Sequence, residues 1–198
     1  MKTYSLEGKS RAIEASSADQ KRALKALRKE SRIPAVLYGG NEVMHLSVAF
    51  DNIRGLIYTP EVHLVELTID GAKKMAIVKD MQFQPVTDEL LHVDFLEIFP
   101  DKPVVIEVPV ALEGYAEGVK AGGKLTLRMR KLKVKALYSK LPEKLIINVD
   151  SLGLGKSMQI GELSFDGLEL MNAKNAVVCS VQLTRAARGA QAAAAGGK

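Results

Sequence analysis

The chain has 198 residues, 47% of them hydrophobic and 26% charged, with a formal net charge of +5. That length holds one large or two small domains, each able to bury a core, and no stretch approaches the eighteen or so apolar residues of a membrane-spanning helix. The single cysteine, Cys179, excludes an internal disulfide framework and fits a reducing cytosol; the opening Met1 to Glu7 carries no apolar run like that of a signal peptide, so a cytoplasmic protein is expected.

The charge is unevenly placed. Residues 1–32 hold nine Lys/Arg against four Asp/Glu; residues 33–100 hold four against ten; residues 101–198 hold fifteen against nine. A surface for an anionic partner is therefore expected in the first third, with the second half of the chain as a possible contributor.

Thr3 to Glu7 and Ala12-Ile13-Glu14 read as an opening hairpin. Lys21 to Arg32 then has a helical pattern, with Ser17 or Asp19 as N-cap candidates. At about 100° per residue, Lys21, Arg22, Lys25, Arg28, Lys29 and Arg32 fall within an arc of about 120°, while Ala23, Leu24 and Leu27 lie opposite. Such a stripe suits a polyanion backbone, although basic faces on short helices are often only solvated surface. Pro34 disfavours the helical region for Ile33, so the helix is expected to stop near Ser31 or Arg32.

Ala35 to Tyr38 reads as a short buried strand, and Gly39-Gly40 as a turn. Tyr38 then sits at a strand end, either offering its phenol to ribose or phosphate or serving as a core tyrosine. Met44 to Val48 reads as a strand. Phe50, Ile53, Leu56 and Ile57 recur at helical spacing and mark a second short helix. Val62 to Ile69 alternates, Asp70-Gly71 turns, and Lys74 to Val78 returns. Met81 to Pro85 precedes a strand containing His92-Val93-Asp94-Phe95. Residues two apart share a strand face, so His92 and Asp94 project together. Such a pair is a pH-sensitive couple, a base-edge reader or surface decoration. Short strands with two short helices predict a small β-barrel.

Phe99-Pro100-Asp101-Lys102-Pro103 brackets charge with proline and reads as a boundary. Beyond it the pattern is nearly all β: Val104 to Leu112, with Pro109 suggesting an edge or a bulge; Leu125 to Arg130, whose alternation slips at Lys131 as at a bulge or turn; Leu145 to Val149; and Ala176 to Leu183. The predicted architecture is thus mainly β: a barrel domain over 1–97, a β-rich domain over 101–184, and an Ala/Gly-rich tail over 185–198 expected to be disordered.

Other motifs carry little chemistry. Gly153-Leu154-Gly155-Lys156-Ser157 ends like a phosphate-binding loop but has Asp150 where that motif needs glycine. Gly118 to Gly123 lacks dinucleotide-binding spacing. His45, His63 and His92 show no metal-ligand spacing, so no metal or cofactor is expected. Lys124, Arg128, Arg130, Lys131, Lys133, Lys135, Lys140 and Lys144 form a second basic cluster, read either as protection of a strand edge or as a contact with RNA or an acidic neighbour.

Arg28 with Ile33-Pro34-Ala35-Val36-Leu37-Tyr38-Gly39, followed by His92-Val93-Asp94-Phe95, resembles the bacterial ribosomal protein L twenty-five family. Gly114-Tyr115-Ala116-Glu117-Gly118-Val119-Lys120-Ala121-Gly122-Gly123, Leu141-Pro142 and Val149-Asp150-Ser151-Leu152 extend the resemblance to its two-domain, general-stress form. The resemblance covers residues 1 to 183. It implies a non-enzymatic component of the large ribosomal subunit that binds the loop E region of 5S rRNA. It further implies that Lys21, Lys25 and Arg28 position phosphates, that Tyr38, Gln82, His92 and Asp94 bond nearer the bases and sugars, and that Lys9 or Arg11 supplies the basic residue of the first strand. Ala26, Phe83 and Gln84 depart from the family pattern. Two other readings stay open: a stress-induced factor that joins ribosomes conditionally, and a small β-barrel enzyme using His92 and Asp94.

Overall fold

The computed structural model describes residues 2–12, 16–40, 42–185 and 187. The protein is mainly β, as its alternating patterns predict, and its chain divides into two compact units with the main changeover between Lys102 and Pro103.

In the first unit six strands close a barrel. Taken around the ring they are β1 (Thr3–Ser10), β3 (Met44–Ala49), β2 (Arg32–Tyr38), β6 (Leu90–Glu97), β5 (Ala72–Phe83) and β4 (Leu64–Ile69). Two of the pairings are parallel. β1 lies along β4 from Thr3↔Leu64 to Gly8↔Ile69, and β2 lies along β6 from Ala35↔Val93 to Tyr38↔Leu96. Alternate residues of every strand fill the interior, where Leu6, Ala35, Leu37, Leu46, Val65, Leu67, Val93 and Phe95 are buried. The intervening residues form an outer face. β1 is therefore a barrel strand rather than one arm of a hairpin. Ala12 of the expected second arm lies outside any strand, and Ile13 and Glu14 fall outside the described residues.

The basic helix, α1 (Ser17–Lys29), has Ser16 at its N-cap position without a side-chain capping bond, one residue before the candidate Ser17 and three before Asp19. It also ends sooner than the charge pattern suggests. Glu30 is the C-cap, Ser31 takes a left-handed φ of 55°, and Phe50 N–H donates to the Ser31 carbonyl. Arg32 thus leaves the helical stripe and opens β2. The cause is local: extended Ile33 before Pro34 needs a reversal immediately upstream. α1 packs against β2 with Ala23, Leu24 and Leu27 half-buried and no residue wholly so.

The second helix, α2 (Phe50–Ile57), has the bounds its spacing predicts, with Ile53 and Leu56 buried. Asp70 and Gly71 both have positive φ, 48° and 92°, and make the tight turn between β4 and β5. β5 runs unbroken through Met81 to Phe83, which the sequence left as a separate segment. A bulge at Lys79, between Val78 and Asp80, restores its register against β6.

The second unit holds a four-stranded sheet and a three-stranded sheet. The first is ordered β10 (Leu145–Asn148), β7 (Val104–Glu113), β9 (Lys131–Ala136) and β12 (Glu169–Leu170). The second is ordered β11 (Ser157–Gln159), β13 (Val177–Gln182) and β8 (Lys124–Leu127). β7 is an inner strand of its sheet, yet Pro109 itself has a strand partner on one side only, as its expected edge position requires. β7 pairs with β9 up to Pro109↔Lys131, then with β10 from Val110↔Leu145, so the proline stands at the exchange of partners. The slip in alternation at Lys131 also has a physical reason, because there the chain passes from one sheet to the other.

Cys179 is buried in β13, and that burial raises its thiol pKa, so it packs rather than reacts. Apart from Arg185 and Ala187, the Ala/Gly-rich tail lies outside the described residues.

Candidate nucleic-acid interface

Strand register turns most of the singled-out residues to the barrel's outer face. Lys9 on β1 stands opposite Ser47 on β3, and Ser47 opposite Pro34 on β2. Gln82 on β5 stands opposite His92 on β6. In the neighbouring row, Arg11 N–H donates to the His45 carbonyl over 2.8 Å, His45 pairs with Val36, Val36 with Asp94, and Asp94 with Asp80. Tyr38 follows two residues after Val36 on the same face. Tyr38, Gln82, His92 and Asp94 therefore lie together on the adjoining strands β2, β6 and β5, while Lys9 and Arg11 face outward beside β3, on the far side of β2.

Helix α1 adds Lys21, Arg22, Lys25, Arg28 and Lys29, all exposed. Arg28 is not simply a member of a solvated stripe. Its Nη2 and Nε donate to the Leu91 carbonyl over 3.1 and 3.4 Å, one residue before His92. The cationic end of the helix is thereby tethered to the strand that carries His92 and Asp94. Arg22 faces Asp19 over 3.8 Å, an exposed pair of little energetic weight. Arg32 donates to the Ser47 carbonyl and hydroxyl over 2.9 and 3.0 Å, which makes it a brace between β2 and β3.

His92 Nδ1 lies 2.7 Å from Asp94 Oδ1, each side chain about a quarter exposed. A carboxylate acceptor at that distance places a proton on Nδ1 and leaves Nε2 for another partner. The Tyr38 phenol is pushed above its ordinary pKa, first by partial burial and then by the negative charges of Asp94 and Asp80. It stays neutral at physiological pH and both donates and accepts hydrogen bonds.

Two participants escaped the sequence reading. Asp80 stands opposite Asp94, and its carboxylate accepts the Met81 N–H over 2.9 Å. The bulge at Lys79 puts it there, and no simple alternation reveals a bulge. His45 enters through the pairing of β3 with β2; its only sequence signal was a histidine within a strand.

The arrangement offers cations at one side, a neutral phenol, an amide and an imidazole–carboxylate couple at the other. Cations supply non-specific attraction to phosphates. The couple, the phenol and Gln82 present donors and acceptors that discriminate between base edges and 2′-hydroxyls.

In the second unit two members of the other basic cluster face acids on neighbouring strands. Lys133 lies 4.0 Å from Glu107, and Lys135 lies 3.0 Å from Glu169.

Comparison with known proteins gives one answer for both units. Residues 6–95 match the ribosomal L25p family, and residues 103–185 match the C-terminal domain of ribosomal protein TL5. The large ribosomal subunit protein bL25 of Parabacteroides distasonis is 73% identical over 97% of this chain and 99% of its own. The bL25 proteins of Bacteroides fragilis and Porphyromonas gingivalis are 60% and 62% identical, each covering at least 96% of this chain and 97% of their own.

Proposed function

The chain belongs to the ribosomal L25p family, and from that premise we propose that it is a structural, non-catalytic component of the large ribosomal subunit whose barrel binds 5S rRNA in the loop E region. In this reading α1 lies along phosphates through Lys21, Lys25 and Arg28. Gln82, His92, Asp94 and Tyr38 face the distorted minor groove, where base edges and 2′-hydroxyls are within reach. Lys9 and Arg11 extend the positive margin along β1. In this reading the chain works on cytoplasmic ribosomes.

The observation that carries this reading is the grouping of Tyr38, Gln82, His92 and Asp94 on adjoining strands, with Arg28 bonded to the strand next to His92. Scattered surface residues would not be joined by strand register and a side-chain tether. The fragment chosen to test it is 1–102, which keeps buried Ile98, whose N–H donates to the Met75 carbonyl.

Filter binding with 5S rRNA tests the proposal. Fragment 1–102 should fold by circular dichroism and bind within about tenfold of the whole chain, a difference below roughly 1.4 kcal/mol. Hydroxyl-radical footprints should map to loop E. A folded fragment with no preference for 5S rRNA over a duplex of equal length would refute it.

A further inference from the structure

The second unit carries its own cationic surface, and strand pairing shows which part of it is unmatched. On β9 the side chains of Lys131, Lys133 and Lys135 alternate with buried Leu132, Val134 and Ala136. Two of the three lysines face an acid on a neighbouring strand: Lys133 meets Glu107 of β7, and Lys135 meets Glu169 of β12. Lys131 stands opposite Pro109, which has no charge to offer. The segment leading into it, residues 128–130, joins the two sheets and bears Arg128 and Arg130, both exposed. Backbone bonds hold that segment at both ends, since Arg128 N–H donates to the Val178 carbonyl and the Arg130 carbonyl accepts from Val110 N–H. Among the described residues, none of Arg128, Arg130 and Lys131 has an acidic partner.

Protection of a strand edge does not account for this pattern. β9 is flanked by β7 and β12, and beside β12 the Met171 N–H donates to the Lys133 carbonyl while Asn172 Oδ1 accepts the Lys133 N–H. Lys133 and Lys135, along the paired part of β9, each face an acid, and the cations without one collect at the sheet-to-sheet crossing. Two of its three cations are arginines, whose planar donors fit phosphate oxygens in pairs.

We propose that Arg128, Arg130 and Lys131 form a second phosphate-contact site, for a segment of large-subunit rRNA other than 5S. The site depends on the chain's membership of a ribosomal family but not on the reading of the barrel. Its partner is an RNA backbone and not a base edge, because the three side chains bring positive charge without any acceptor. An acidic protein is the competing class of partner.

The test uses the full chain and a triple variant, Arg128→Ala with Arg130→Ala and Lys131→Ala. The probes are protein-free large-subunit rRNA lacking 5S, and 5S rRNA by itself, titrated over about 0.1–0.3 M salt. The variant should bind the large rRNA at least about fivefold more weakly, with the salt slope reduced by roughly 2–3, one phosphate per cation. Its affinity for 5S rRNA should stay within about twofold. A control variant, Lys133→Ala with Lys135→Ala, removes the same kind of charge where it is already paired and should change both affinities by less than about twofold. Circular dichroism checks the folding of both variants. Unchanged binding of the large rRNA by the folded triple variant would overturn the proposal, as would an equal loss on both RNAs. Unchanged RNA binding with loss of retention on whole large subunits would also overturn it, in favour of an acidic protein partner. A parent chain that ignored 5S rRNA would sink the reading of the barrel and leave this comparison standing.

Discussion

Asp80 and Asp94 stand directly opposite each other on β5 and β6, two carboxylates on the outer face of the barrel with Tyr38 close enough to feel both. Like charges opposed across a ladder destabilise it. Asp94 has the His92 Nδ1 as a hydrogen-bond partner, whereas Asp80, among the described residues, accepts from the neighbouring Met81 N–H. Changing Asp80 to Asn should therefore stabilise the free protein by about 0.2–1 kcal/mol, because Asn keeps an acceptor for the Met81 N–H while removing the repulsion. Urea denaturation measures it. The Tyr38 phenol should also ionise at lower pH in this variant, with burial, the larger cause, still holding it above a free tyrosine. A destabilised Asp80→Asn protein would mean that the pair is not repulsive in the native fold.

Asp94 to Asn probes selectivity instead of stability. The carboxylate orients His92 and can accept from a base amino group or a 2′-hydroxyl, and an acid beside a phosphate backbone needs such a partner. The variant should lose preference for 5S rRNA over a duplex of equal length by about 1–3 kcal/mol, with the salt slope unchanged. Equal selectivity in a normally folded variant would make the His92–Asp94 couple surface decoration.

Arg28 separates charge from geometry. Lysine keeps the charge but cannot reproduce the guanidinium fork on the Leu91 carbonyl. Arg28→Lys should keep the salt slope, expected at roughly −2 to −4 for the helix as a whole, yet bind 5S rRNA more weakly by about 1 kcal/mol. Arg28→Ala should lose about 1–3 kcal/mol and lower the magnitude of the slope as well. Identical behaviour of the two variants would assign Arg28 to charge alone.

Asp150 gives the second unit an acid-sensitive loop. Its carboxylate accepts the Tyr115 N–H over 2.6 Å, and its own N–H donates to Asn148 Oδ1. Gly114, at φ 95°, leaves room for it. The Tyr115 N–H, and then Asn148, hold the Asp150 carboxyl below its ordinary pKa. A depressed carboxyl contributes stability above its unfolded pKa of about 4, and that contribution is lost as pH falls through the native value. Thermal melts of the second unit should lose stability on acidification below about pH 4, and Asp150→Asn should flatten that part of the profile. An unaltered profile would remove Asp150 from the acid response.

Much of this was readable from local pattern, and the exceptions share a cause. α2 was legible because Phe50, Ile53, Leu56 and Ile57 repeat at helical spacing and pack on one side. The shared face of His92 and Asp94 followed from strand periodicity alone. What joins them to Lys9, Arg11 and Gln82 did not, since parallel pairing of β2 with β6 links residues nearly sixty apart and leaves no mark on either segment. Arg32 was misplaced because its charge fits a helical stripe; Ser31 ends the helix through backbone geometry that a serine does not advertise. Asp80 was missed because the bulge at Lys79 changes which face it occupies. The partner exchange at Pro109 and the sheet crossing at Lys131 were each visible as an irregularity, but their meaning depended on strands far along the chain.

The parallel seam between β1 and β4 sets the order in which the ring can form during synthesis. During synthesis β1 has no partner until Met44–Ala49 and then Leu64–Ile69 have been made. The ring stays open, with β2 and β5 unjoined, until Leu90–Glu97 arrives between them. Open strand edges invite pairing with other chains, and distant contacts slow closure. The vulnerable interval therefore ends with β6, only a few residues before Lys102, and a nascent chain can seal its barrel while the second unit is still being translated.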